Sequence, residues 1–537
     1  MPRFGLKVPL CCRPHDWLGG ARGAISGNAD SAQAFHDAGI LQSSGGGAGE
    51  GGLTPEACEI ETMIQDNDRP IYHYLPPEGL LWDPCAALFW KGRYHLFHLH
   101  SSWAHDGPPR RPDGYMYKAW AHISSADLVH WDHHPNAIER GQTGNIFLFN
   151  GTPTIIFPHP DGGGASCIAS NPSGDLMDWR FEPADPVLRH PVQGTGLYPD
   201  NNDVTAWQEG EWCYALTGTR DTPGKGDTLH LFRSSDLADW EQVDRFYESE
   251  RRWTGDKDDC SCPDFFELGS KRMLLHYCHN QPHGSRYYLG RFEDQRFYPE
   301  AFDRINWPGG NLHAPRTMLD EKGRRILFAN LNEGRSMSAC MAAGWMGVLS
   351  LPVVISLNPD EDRICYEPAT ELQTLRQDLT QRDDIVVETD TEFLLPEARG
   401  GSLEFELEME PRGASEFGLK VRCAPDGSEE TLVSFTLDPQ TIQIDFRMAS
   451  LRDDLNHQEP GIQAAPFDLK QGEGFKLRVF LDRSVLEVFA GDQRYLAQRI
   501  FPTHPGGLDV KLYSRGGPTF FRRLRAWQMS GLTDTNH

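Results

Sequence analysis

The chain has 537 residues, with 51 Lys and Arg against 77 Asp and Glu, a formal net charge of −26. A field of that sign repels phosphate backbones and anionic lipid heads, which argues against nucleic acid or a membrane surface as the main partner. No apolar run approaches the roughly 18 residues of a membrane span, while 28 Phe, 15 Tyr and 14 Trp supply large cores and faces for stacking on sugars.

Residues 1–68 differ from the rest. They hold a Gly-rich stretch from Gly45 to Gly52, few aromatics and no sustained periodicity, and read as a disordered leader, with a mis-assigned start as the alternative. The basic residues at the start are not followed by a continuous apolar core of about 7–15 residues, so no signal peptide is expected and the cytoplasm is the expected location. The 12 cysteines contain no C-x-x-C pair; the close ones are Cys11–Cys12 and Cys260–Cys262. They are expected as buried thiols rather than a disulfide framework or a zinc site.

From about Arg69 short apolar runs recur around Gly-containing turns: ALFWKGRYHLFHL, TIIFPHPDGGGASCIAS, TAWQEGEWCYALTG, FFELGSKRMLLHY and MLDEKGRRILFAN. Each reads as a β-hairpin. Their turn glycines, Gly92, Gly163, Gly210, Gly269 and Gly323, lie 71, 47, 59 and 54 residues apart. A second motif, D-L-x-x-W, begins at Asp127, Asp175 and Asp236. Units of four strands repeated at about 40–60 residues mark a β-propeller, so 69–357 is expected to form five blades. Residues 358–384, rich in Asp and Glu and carrying the helix-like ATELQTLRQDL, read as a linker. From 385 to 530 strictly alternating strands return without D-L-x-x-W, which predicts a separate β-sandwich. The fold expected is all-β: a five-bladed propeller followed by a C-terminal sandwich.

Propellers place function where the inner strands converge, so acids just before the hairpins are the candidates. Asp83, in Trp82-Asp83-Pro84, precedes the first hairpin. Asp203, in Asn201-Asn202-Asp203, precedes the third at an equivalent place. Asp258, Asp259 and Asp264 flank Cys260-Ser261-Cys262-Pro263 before the fourth. Carboxyls from three blades on one axis suit glycoside hydrolysis, which needs one protonated carboxyl and one ionised.

At these positions the chain resembles glycoside hydrolase family 32, the invertases, inulinases and levanases. Leu80-Leu81-Trp82-Asp83-Pro84-Cys85-Ala86 stands where the family has W-M-N-D-P-N-G. WAHISSADLVHW, from Trp120, is similar to W-G-H-x-x-S-x-D-L-x-H-W, and both Gly344–Leu357 and Phe475–Pro502 resemble later family segments. The resemblance covers about residues 70–530 and implies the same propeller-plus-sandwich fold, a small-molecule or oligosaccharide substrate and no cofactor or metal. It implies that Asp83 is the nucleophile and Asp203 the transition-state stabiliser.

The chain also departs from the pattern. The family's R-D-P is Asn202-Asp203-Val204, and its E-C-P-D, whose Glu is the general acid, is Ser261-Cys262-Pro263-Asp264. The Asn before the nucleophile is Trp82, a Gln on the first hairpin is Leu99, and W-S-G-S is Phe149-Asn150-Gly151-Thr152. A serine hydroxyl is no general acid near neutral pH, and losing such help costs about 10²–10⁴-fold. Asp259, two residues before Ser261, would share its face on an extended strand and is the candidate replacement. Glu267 has the same parity but lies farther along, and Asp264 is expected to orient the loop. Trp82, Trp120, Asn202 and Ser261 are the candidate sugar contacts. His95, His98 and His100 read as polar packing or substrate contacts rather than metal ligands. The expected activity is retaining hydrolysis of a sucrose- or fructan-like bond; a glycan-binding protein without hydrolysis and a transglycosylase are the alternatives.

Overall fold

The computed structural model describes residues 66–532 apart from 103–115, 161–164, 182–187, 190–202, 221–226, 249–251, 254–259, 280–282, 359, 361, 456–460 and 470–473. The described chain is almost entirely β. Five antiparallel sheets follow one another, each built on a four-strand meander. Their first strands are Gly79–Trp90, Asn145–Phe149, Val204–Glu209, Ser261–Leu268 and Leu312–Leu319. Each of these touches the next and the fifth touches the first, so they form the closed inner ring of a five-bladed propeller.

The turns after these inner strands set the repeat. Their glycines are Gly92, Gly151, Gly210, Gly269 and Gly323, all at positive φ between 60° and 79°. They stand 59 residues apart three times running and then 54. In blade two the sequence reading selected the wrong hairpin. TIIFPHPDGGGASCIAS joins the second and third strands, Thr152–Pro158 and Ala165–Ser170, and the inner turn is Asn150-Gly151. The D-L-x-x-W motif is the turn into the outermost strand. Asp127, Asp175 and Asp236 each accept two backbone N–H groups from the residues two and three ahead. This Asx cap holds the buried Leu128, Leu176 and Leu237 at φ of 62° to 67°.

The ring closes through the segment after the helix Met337–Ala343. Trp345–Met346 pairs in parallel with Gly79–Leu80 of blade one, and Val348–Leu349 pairs with Asn330–Leu331 of blade five. The stretch read as a linker, 358–384, is mostly strand. Arg363–Pro368 is the outer strand of blade five, and Arg376–Val387 opens the sandwich beside Thr519–Met529. Only the short 3₁₀ turn Thr370–Leu375 joins them. Three of the acids that suggested a linker, Asp378, Asp383 and Asp384, are exposed positions on the strand Arg376–Val387.

Two six-stranded antiparallel sheets make the sandwich, around a core that includes Phe405, Phe417, Phe435, Leu477, Val488 and Leu512. The chain is anchored to it from Asp66, two residues before the end of the expected leader. Arg483 donates to the carbonyls of Asp66 and Arg69, and Arg452 pairs with Asp68 at 2.6 Å. A buried clasp follows. His73 Nδ1 lies 2.9 Å from Asp482, and Nε2 makes a looser ionic contact of 3.3 Å with Glu487. Asp482 also accepts the backbone N–H groups of Ile71, Tyr72 and His73, while Glu487 accepts from Leu351 N–H and Tyr495 Oη. Burial alone would depress the imidazolium, but the two carboxylates outweigh it and hold its pKa up at about 9.

Candidate active site

The inner strands are irregular at equivalent heights. Pairing slips between Leu81 and Ala86 in blade one, between Ser261 and Asp264 in blade four, and between His313 and Arg316 in blade five. Cys260, Cys262 and Ala314 take positive φ of 45°, 50° and 48°. Such bulges re-aim side chains at the rims of barrels and beside active sites. Here they bring Asp83, Cys262 and His313 into one cluster with Asp203.

Asp83 sits in the first bulge. Its Oδ1 meets His313 Nδ1 at 3.0 Å and its Oδ2 accepts a hydrogen bond from Thr143 Oγ1 at 2.9 Å. Burial pushes its carboxyl up, but His313, Lys118 and the Thr143 bond more than cancel this and hold it far below the usual range. Asp203, one residue before the inner strand of blade three, accepts from Cys262 N–H at 3.0 Å and from the Cys262 thiol at 3.2 Å. Its carboxyl is shifted upward, first by burial and then by the charge of Asp83, against the Cys262 thiol bond and the pull of Arg316. The two neighbouring carboxyls are thus pushed apart: Asp83 is held ionised, as a nucleophile must be, and Asp203 is biased toward its proton.

Arg316 was not foreseen. It is fully buried on the inner strand of blade five and donates to the carbonyls of Cys262 and Pro263. Its Nε and Nη2 have no hydrogen-bond partner among the described residues. Behind His313 stands Tyr277, edge-on at 4.1 Å between ring centroids. Asp264 accepts from Thr317 N–H and Oγ1 at 3.0 and 2.8 Å, tying blade four to blade five as a loop-orienting residue.

The other expected site residues fall in different places. Ser261 heads the inner strand of blade four opposite Tyr277 and is 1% exposed. Trp82 packs into the blade-one core, with the Lys118 ammonium over its ring at 4.7 Å and its buried indole N–H without a hydrogen-bond partner among the described residues. Trp120 is no sugar contact. It lies on Ala119–Ser125, the third strand of blade one, with no exposed surface, and donates its indole N–H to the Gln142 carbonyl at 2.9 Å. The strand's alternation turns it into the core beside Phe97 and Phe157. Glu267 stands six residues past Ser261, near the other end of the same strand, with its side chain 73% exposed and paired with Arg272. Asn202 and Asp259 lie outside the described residues. His98 is a packing group, bonded to Tyr74 Oη and the Leu99 carbonyl, and His95 meets His122 at 3.0 Å. The nine described cysteines are free thiols, eight of them buried.

Residues 73–368 match the Glycosyl hydrolases family 32 N-terminal domain and residues 371–528 match the Glycosyl hydrolases family 32 C terminal. A sucrose-6-phosphate hydrolase of Zymomonas mobilis is 26% identical over 512 residues, covering 87% of this chain and 93% of the relative. A levanase of a Bacillus species is 28% identical over 517 residues, covering 87% of this chain and 52% of the levanase. The crystal structure of fructan 1-exohydrolase IIa from Cichorium intybus superposes with a TM-score of 0.77 at 18% identity, over 87% of this chain and 98% of that one. The two matched domains, adjacent and in order on a propeller and a sandwich, place this chain in glycosyl hydrolase family 32.

Proposed function

We propose that the chain hydrolyses β-fructofuranosidic bonds of sucrose- or fructan-like substrates by a retaining mechanism. The observation that carries this reading is the pair Asp83 and Asp203 in one buried cluster, with Asp83 held ionised by His313 and Asp203 biased toward its proton. An Asp83 oxygen attacks the anomeric carbon, the bond to the leaving oxygen breaks, and the proton donor supplies that oxygen's proton. Water then attacks the same carbon, gives its proton back to the donor and releases Asp83. Asp203 takes the sugar hydroxyls, with Arg316 offering from blade five a guanidinium where position 202 has none. Asp259 is the proposed proton donor as the acid two residues before Ser261 in sequence; the left-handed backbone at Cys260 means that strand parity does not carry the assignment.

Support for a fructosyl substrate comes from the relatives, whose names are sucrose-6-phosphate hydrolase, levanase and fructan 1-exohydrolase. The test is sugar release from sucrose, 1-kestose, levan oligomers and aryl glycosides. Release by the native chain that vanishes in Asp83→Asn supports the reading. One observation favours a second: Ser261 replaces the family acid and is buried. Saturable sugar binding with no release from any substrate would make the chain a glycan-binding protein.

A further inference from the structure

The sandwich carries a cavity that contains none of the residues discussed above as catalytic. It has a volume of about 350 Å³ and is lined by Arg422, Arg483, His504, Thr503, Ser402 and Gln528 among others, with no Asp or Glu among the described residues of its wall. That is unexpected in a chain of net charge −26.

Arg422 defines it. The strand Glu416–Cys423 pairs regularly with Asp509–Arg515 from Glu416 to Lys420, slips, and resumes at Cys423. Arg422 sits in this bulge at φ 54°, a left-handed backbone that a side chain other than glycine adopts only at a cost. The residue is 6% exposed, and its Nε is buried without a hydrogen-bond partner. Among the described residues its guanidinium makes no salt bridge or hydrogen bond. Two other buried arginines are answered by a carboxylate, Arg335 and Arg499 meeting Glu333 at 3.0 and 3.5 Å, while buried Arg316 in the propeller at least donates to two carbonyls. The nearest acids are engaged elsewhere. Glu429 accepts from Leu451 N–H, Thr503 N–H and Oγ1 and His504 N–H, and Asp68 is paired with Arg452.

The neighbours present donors. Arg483 uses Nη1 on the carbonyls of Asp66 and Arg69, and its other guanidinium N–H groups make no hydrogen bond among the described residues. His504 Nδ1 accepts the Gly506 N–H at 3.0 Å, which leaves Nε2 as the protonated nitrogen. An unpaired buried cation in a polar cavity is costly when empty and is stabilised by an oxyanion, which a guanidinium binds with two parallel bonds.

We propose that this cavity is an anion-binding site in which Arg422, with Arg483 and His504 beside it, holds the oxyanion of a small phosphate- or carboxylate-bearing ligand. The site stands independently of the sugar chemistry in the propeller. The test is calorimetric titration of the full chain with inorganic phosphate and, separately, with citrate, in about 0.15 M chloride so that unspecific charge attraction is screened. Saturable binding of one or both is expected, and which of them binds assigns the ligand class. Arg422→Met should weaken that binding about tenfold or more. It should also unfold at or above the native temperature in anion-free buffer while losing the stabilisation that the anion gives the native chain. Should Arg422→Met fail to fold, Arg483→Gln, whose side chain is not fully buried, decides by a severalfold weaker affinity. Absence of saturable binding of either anion, or unchanged affinity in the variants, overturns the proposal.

Discussion

The His73 clasp makes a quantitative prediction about how the two domains hold together. Its imidazolium is bound by Asp482 and Glu487 and titrates at about 9 in the folded chain, against about 6.5 when unfolded. A raised folded pKa gives stability that is fully present below about pH 6.5 and is lost as pH rises through 9. The shift of about 2.5 units corresponds to about 3 kcal/mol at most. At pH 8 the folded state holds about 0.9 proton on this ring and the unfolded state almost none, so unfolding releases close to one proton. The perturbation is His73→Gln combined with Glu487→Gln, because the single variant would leave two carboxylates free to capture a proton between them. Asp482 keeps the N–H groups of Ile71, Tyr72 and residue 73 in the double variant. Scanning calorimetry at pH 8, in buffers of different ionisation enthalpy, measures the protons released on unfolding. The double variant should release close to one proton fewer than the native chain, and its stability should fall less between pH 6.5 and 9. Equal proton release by both proteins would refute a charged His73 at this interface.

Other expectations concern the channel. His313→Asn removes the strongest of the neighbours that hold Asp83 ionised, so the acidic limb of the kcat/KM profile for sucrose should move to higher pH; an unmoved limb would detach His313 from Asp83. Trp120→Ala opens a cavity between blades one and two and should cost about 3–5 kcal/mol of stability, read as a lower unfolding midpoint, while KM of the folded fraction stays unchanged. Asp259→Asn should cut hydrolysis of sucrose about 10²–10⁴-fold but spare aryl glycosides with acidic leaving groups; equal losses on both substrates would place the proton donor elsewhere.

Much of the architecture was legible because it repeats. Turn glycines and D-L-x-x-W recur at blade spacing, and each has a local backbone reason in the positive φ of the glycines and of the leucine behind the Asx cap. Blade two was misaligned because the conspicuous PDGGG run drew attention from the quieter Asn150-Gly151, although the regular spacing of 59 residues was available to find it. The linker was misread because exposed acids on a strand look like loop composition when burial is unknown. Trp120 was misassigned because a motif marks a position in sequence, while the face a strand residue presents depends on its place in the blade. His313 was within reach, since Asn311-Leu312-His313 stands before the fifth hairpin much as the candidate acids stand before the first, third and fourth. Arg316 carried no such mark: only the bulge beside it and the fold of blade four against blade five bring its guanidinium to Cys262 and Pro263.

The account rests on Asp83 acting as a nucleophile in a working glycosidase. The direct measurement is mass spectrometry of peptides from enzyme acid-quenched during turnover of sucrose or 1-kestose. A fructosyl ester on the peptide containing Asp83, absent when Asp83→Asn is treated the same way, is the predicted result. Sugar release that persists in Asp83→Asn, or turnover with the Asp83 peptide unmodified and the adduct on another residue, would contradict it.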